Sequence, residues 1–132
     1  MGKSFYTILI SLQFLCLANV LLIIFLNNLQ LLTFLLDFAQ ENRGIFEGKV
    51  VHLGSCSTFK TDKEQILKYK SLTKALMVTG YQKNVEMTES FIFEAWLLNS
   101  LYKHPDYRAK RLMDLANKEM KFFVDRYDFI AL

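Results

Sequence analysis

The chain has 132 residues, a net charge of only +3 and a hydrophobic content of 52%. So even a charge balance gives no sign of the dense basic stripe of a nucleic-acid binder, and none is expected. The two cysteines, Cys16 in an apolar run and Cys56 outside it, exclude an intrachain disulfide framework for the polar part and fit a reducing compartment.

The apolar residues are unevenly spread. No charged residue occurs between Lys3 and Asp37, and every other charge lies from Glu41 onward. Phe5 to Leu26, FYTILISLQFLCLANVLLIIFL, is uncharged and reaches the roughly 20 residues that a helix needs to cross a bilayer. It is longer than the ~7–15-residue core of a secretory signal and has no good small-residue cleavage site, so it reads as an uncleaved anchor. After Asn27 and Asn28 the apolar character resumes from Leu29 to Ala39. One long helix from Ser4 to Gln40, crossing the bilayer and protruding, is favoured over a turn at Asn27-Asn28 followed by an interfacial or re-entrant piece. On that helix Asn19, Gln30, Thr33 and Asp37 share roughly a 60° sector, which marks them as candidates for helix packing in the membrane or for lining an oligomer. The competing reading places everything after Asn27 outside the lipid, where polar residues are ordinary. Arg43 and Lys49, with Lys60 and Lys63 slightly farther on, outweigh Lys3 and the amino terminus by one or two charges, so the positive-inside rule predicts a single-pass protein with a cytoplasmic C-terminal domain.

Residues 41–60 read as a linker. Gly44, Gly48 and Gly54 punctuate it, and Lys49 to Leu53, KVVHL, suits a short strand. Residues 61–132 read as a helical domain. Thr61-Asp62-Lys63-Glu64 is a capping box, and Ile66, Leu67, Tyr69, Leu72, Leu76 and Val78 continue a helix over about 62–79, with Gly80 as its left-handed cap. A second helix begins at an N-cap Thr88, buries Phe91, Ile92, Ala95, Trp96, Leu98 and Leu101, and ends near Lys103. A third starts at Pro105 and runs through Leu112, Leu115, Ala116, Met120, Phe123 and Val124. The expected fold is therefore mainly α: an N-terminal transmembrane helix over residues 1–40, the linker, and a bundle of about three helices. So small a bundle is marginal alone, which favours oligomerisation. Phe93, Tyr102, Phe122, Tyr127 and Phe129 exceed what its core needs, so either the core is unusually aromatic or some of them face a partner.

Catalytic signals are missing. His52 and Cys56 stand four apart, but a metal site needs three or four ligands, and a Cys–His nucleophile needs an orienting third group. Glu86, Glu89 and Glu94 are spaced as a solvated helix face. Lys60, Lys63, Lys68, Lys70 and Lys74 form the densest basic set. They are candidates for contact with anionic lipid or a nucleotide, although charge runs usually just solvate a helix. No catalytic residue, metal or cofactor is assigned. The expected function is a membrane-anchored, non-enzymatic interaction or regulatory protein whose helical domain binds a membrane partner or another copy of itself. The alternative is a small membrane-perturbing effector, holin-like or ligand-gated.

Overall fold

The computed structural model describes residues 12–17, 20–25, 31–54 and 63–132. Two short parallel strands, β3 (Val50–Leu53) and β4 (Met77–Tyr81), form its centre, and every residue in them is buried. Parallel strands covered on both faces are mostly apolar, and VVHL and MVTGY are so apart from His52 and Thr79. β5 (Phe129–Ala131) pairs antiparallel with β4 and completes a small mixed three-stranded core. Val78 and Leu132 extend that pairing by exchanging two backbone hydrogen bonds of 2.9 Å. On the other side, β2 (Val20–Phe25) pairs parallel with β3, and β1 (Leu12–Leu17) pairs antiparallel with β2, giving the order β1-β2-β3-β4-β5.

Five helices among the described residues make the chain mostly helical: α1 (Leu31–Glu41), α2 (Lys63–Thr73), α3 (Met87–Lys103), α4 (Ala109–Glu119) and α5 (Lys121–Tyr127). They divide between the two faces of the sheet. Along a strand, successive side chains point to opposite faces. Val51, Leu53 and Val78 therefore meet Leu35 and Ala39 of α1 and Ile66 and Tyr69 of α2. Val50, Met77 and Tyr81 meet Phe93, Leu97 and Leu101 of α3, Leu112 and Ala116 of α4, and Val124 and Tyr127 of α5.

This arrangement corrects the expected transmembrane helix followed by a three-helix bundle. Residues 12–17 and 20–25 are strands rather than the middle of a helix from Ser4 to Gln40. Among the described residues, no helix is long and apolar enough to cross a membrane. A membrane helix and a pair of sheet strands present the same uninterrupted apolar run, and periodicity cannot separate them. The β-branched and leucine-rich VLLIIF of β2 suits a strand as well as a bilayer.

The first helix of the expected bundle also stops early. The Thr73 hydroxyl turns back to donate to the Tyr69 carbonyl at 2.8 Å, and Lys74 takes a left-handed φ of 59° that ends the turn. Leu76 and Val78 fit a helical spacing by position only. Met77 to Tyr81 pass into β4, so Gly80 is a strand residue and not a cap. The last expected helix breaks at Met120 (φ −131°, ψ 36°), whose N–H caps α4 by donating to the Ala116 carbonyl. The capping box begins at residues 61 and 62, outside the described residues.

The Tyr69 hydroxyl is buried without a hydrogen-bond partner among the described residues, and burial pushes its phenol up from the ordinary 10.0. The folded chain therefore holds this proton to higher pH than the unfolded chain does. Stability is untouched below 10.0 and falls as pH rises above it. Tyr69→Phe is expected to retain the fold, to gain up to about 1 kcal/mol by removing the unpaired hydroxyl, and to lose part of the alkaline destabilisation. Urea titrations at neutral pH and above pH 10.0 check this.

Candidate functional site

The alternation that sends Val51 and Leu53 toward α1 and α2 sends His52 the other way, toward α3. The β3–β4 register sets His52 directly beside Thr79. Glu94, on the buried side of α3, reaches down to meet them. His52 Nδ1 lies 2.8 Å from Thr79 Oγ1, and Nε2 lies 3.1 Å from Glu94 Oε1. The Tyr81 hydroxyl donates to the same Glu94 oxygen at 3.2 Å, and the Tyr81 ring stands edge-on to the imidazole at 5.3 Å. With its proton on Nε2, His52 donates to Glu94 and Thr79 donates to Nδ1, so both ring nitrogens and one Glu94 oxygen are paired. His52 is 0% exposed and Glu94 3%. Glu94 Oε2 is buried with no donor among the described residues.

Both imidazole nitrogens are occupied, so neither is open to a metal or a substrate proton. The network instead fixes where α3 sits on the sheet. Polar groups buried this deeply are tolerated only when paired, and the pairing selects a single seating of the helix. Glu94 thus leaves the solvated face expected for it. Cys56 lies outside the described residues. Among the described residues no group of three His, Cys, Asp or Glu could hold a metal ion.

A second set of contacts anchors the start of α3. The N-cap is Glu86, two residues before the expected Thr88, and its carboxylate accepts from the Glu89 N–H at 2.7 Å. That backbone hydrogen bond holds the Glu86 carboxyl below its ordinary range. The Glu89 carboxylate accepts from the Tyr127 hydroxyl and from Arg126 Nε at 2.9 Å, which ties α3 to α5. Desolvation, followed by the bond to Glu89, pushes the Tyr127 phenol up. Trp96 Nε1 donates to Glu119 at 2.8 Å and joins α3 to α4. The aromatic surplus divides as well. Phe93, Tyr127 and Phe129 surround Tyr81 at centroid distances of 6.0 to 6.2 Å, whereas Tyr102 and Phe122 face outward.

The described basic candidates do not all share one helix face. Lys60 lies outside the described residues; Lys63 and Lys68 are exposed on α2, and Lys70 is half-buried. Lys63 and Lys70 fall on one side of α2, with Lys68 roughly 140° away at about 100° per residue. Lys74 follows the helix, and its stem runs beside Gly44. Of the proposed membrane stripe, Asn19 and Gln30 lie outside the described residues, Thr33 is on α1, and Asp37 is exposed there. Strand β2 stands between Asn19 and α1, so no single continuous helix carries the four residues.

The most distinctive surface is the outward side of α3. Its exposed residues from Thr88 to Tyr102 are Thr88, Phe91, Ile92, Ala95, Asn99 and Tyr102, and none is charged. Phe91 is 48% exposed, Ile92 57% and Tyr102 76%. The outward sides of two other helices differ in kind: α2, across the sheet, shows Lys63, Glu64 and Lys68, and α4 shows Lys110, Arg111, Asp114, Lys118 and Glu119. Sequence reasoning assigned Phe91, Ile92 and Ala95 to the buried side. The polar residues that would have revealed the error, Ser90, Glu94 and Ser100, are themselves buried. Comparison of the chain with protein-family models, curated proteins and solved structures finds no match.

His52→Ala and Glu94→Ala are each expected to cost about 3 kcal/mol, because each strands a buried polar partner. The double variant is expected to lose less than the sum by at least about 1 kcal/mol. Urea unfolding of all four chains, followed through Trp96 fluorescence, measures the cycle.

Proposed function

We propose that this protein is a non-enzymatic interaction module whose docking surface is the outward side of α3. The uncharged stripe from Thr88 to Tyr102 carries the proposal. Solvent-facing helix sides normally carry charge, as α2 and α4 do, and contiguous exposed apolar surface marks places where another molecule binds. Exposed aromatic side chains such as Phe91 and Tyr102 are the types that anchor interfaces. The buried network supports the same reading. With His52, Thr79, Tyr81 and Glu94 committed to one another, α3 is held as a rigid platform, and a rigid surface loses little entropy on binding.

The charge-free run from Phe5 to Leu36 supports a second element of the proposal, attachment to a bilayer. The strand pairing of residues 12–17 and 20–25 limits it to attachment without a helix through those residues.

Phe91→Asp and Ile92→Asp alter exposed positions, so each is expected to change stability by less than about 0.5 kcal/mol. Each is expected to weaken partner capture at least about tenfold, as loss of an interface anchor does. Quantitative pull-down with tagged full-length chains, paired with urea titration, checks both halves. Capture unchanged in both variants would remove the proposal. Cell fractionation addresses attachment: the chain is expected with the membranes, and recovery entirely apart from them would overturn that element while leaving the docking surface in place.

A further inference from the structure

The α3 stripe is close to self-complementary about one small residue. Residues three, four and seven apart share a helix face. Measured from Ala95, Phe91 and Asn99 lie four residues to either side, Ile92 and Leu98 three, and Thr88 and Tyr102 seven. Two such helices packed antiparallel around Ala95 would set Phe91 opposite Asn99, Ile92 opposite the half-buried Leu98, and Tyr102 opposite Thr88, each pair occurring twice. In the first and third pairs a large side chain meets a smaller one, which is how packed helix faces interlock. At the crossing point alanine meets alanine, and the backbones can approach closely.

Charge favours the same arrangement. A partner chosen by charge would need charges to read, and the stripe has none between Thr88 and Tyr102. Self-packing therefore brings no like charges together along its length. The ends carry opposite signs, Glu86 at the N-cap and Lys103 in the last turn. An antiparallel pair sets unlike charges near each other at both ends, whereas a parallel pair sets like beside like.

We infer that the occupant of this surface is a second copy of the chain, with α3 packed antiparallel on α3 about a two-fold axis at Ala95. The inference rests on the docking role proposed above and names the partner for it. The contact is isologous, so it closes at two copies and does not propagate. The stripe is about 21 Å long at about 1.5 Å per residue. A single helix pair of that length falls at the small end of specific interfaces, so the dimer is expected to dissociate on dilution.

The test uses the full chain with Cys16→Ser and Cys56→Ser as background. Sedimentation velocity in mild detergent, across roughly a hundredfold concentration range, is expected to show monomer giving way to dimer. Ala95→Cys places the new thiol on the axis, opposite its own copy, and mild oxidation is expected to give a covalent dimer. Thr88→Cys, exposed on the same stripe but opposite Tyr102, is expected to give little. Ala95→Glu is expected to remain monomeric at every concentration with unchanged circular dichroism. A parent chain that stays monomeric throughout overturns the inference, as does cross-linking of Thr88→Cys in preference to Ala95→Cys. A monomeric parent whose partner capture is still abolished by Phe91→Asp shows that the surface docks another molecule and that only the occupant was wrong. A monomeric parent with capture untouched by Phe91→Asp removes both readings.

Discussion

The seating of α3 on the sheet depends on one buried contact, His52 to Glu94. The sheet face presents mostly apolar side chains to this helix, and apolar contacts alone specify a seating loosely. A helix can slide or rotate by a residue and still bury leucines and phenylalanines. The imidazole held between Thr79 and Glu94 removes that freedom, since any other seating would bury the same groups without partners. Because Ser90, Glu94, Leu97 and Leu101 must face the sheet, Phe91, Ile92, Ala95 and Tyr102 must face away. The buried polar contact thus decides which residues form the outer surface.

The rest of the structure holds that contact in place. β3 and β4 are short, and their register places His52 beside Thr79 only because α2 ends promptly enough for Met77 to enter the sheet. The back-bonded Thr73 and the left-handed Lys74 supply that ending. At the far end of the same helix layer, Glu89 joins α3 to Arg126 and Tyr127, and Trp96 joins it to Glu119. These outer contacts are partly solvated and individually weak, in contrast to the fully desolvated cluster beneath them.

What the sequence disclosed depended on whether the deciding signal was local. The C-terminal end of α3 was legible because Lys103-His104-Pro105 ends a helix by local chemistry, and a short strand within KVVHL was legible from its local run of apolar residues. The orientation of α3 was not. It carries apolar residues on all sides, and the residue that breaks the tie, Glu94, finds His52 only through tertiary structure, 42 positions away. The segments 12–17 and 20–25 differ for another reason: a bilayer span and a β-strand favour the same apolar side chains, so composition could not choose between them. The helix expected to continue to residue 79 failed because Leu76 and Val78 satisfy both helical and strand spacing. The backbone reversal at Lys74 has no strong signature, since neither glycine nor asparagine stands there.

The placement of β5 has a consequence for how the chain comes to exist in a cell. Its pairing partner, β4, is synthesised before α3, α4 and α5, and β5 only after them. Until Phe129 to Ala131 emerge, the open edge of β4 and the aromatic ring cluster around Tyr81 lack their lid, while three helices already carry their apolar sides. Late, non-local closure of this kind slows folding and lengthens the exposure of sticky intermediates. The order of synthesis therefore leaves the ring cluster around Tyr81 uncovered on the β4 edge until β5 has emerged and paired.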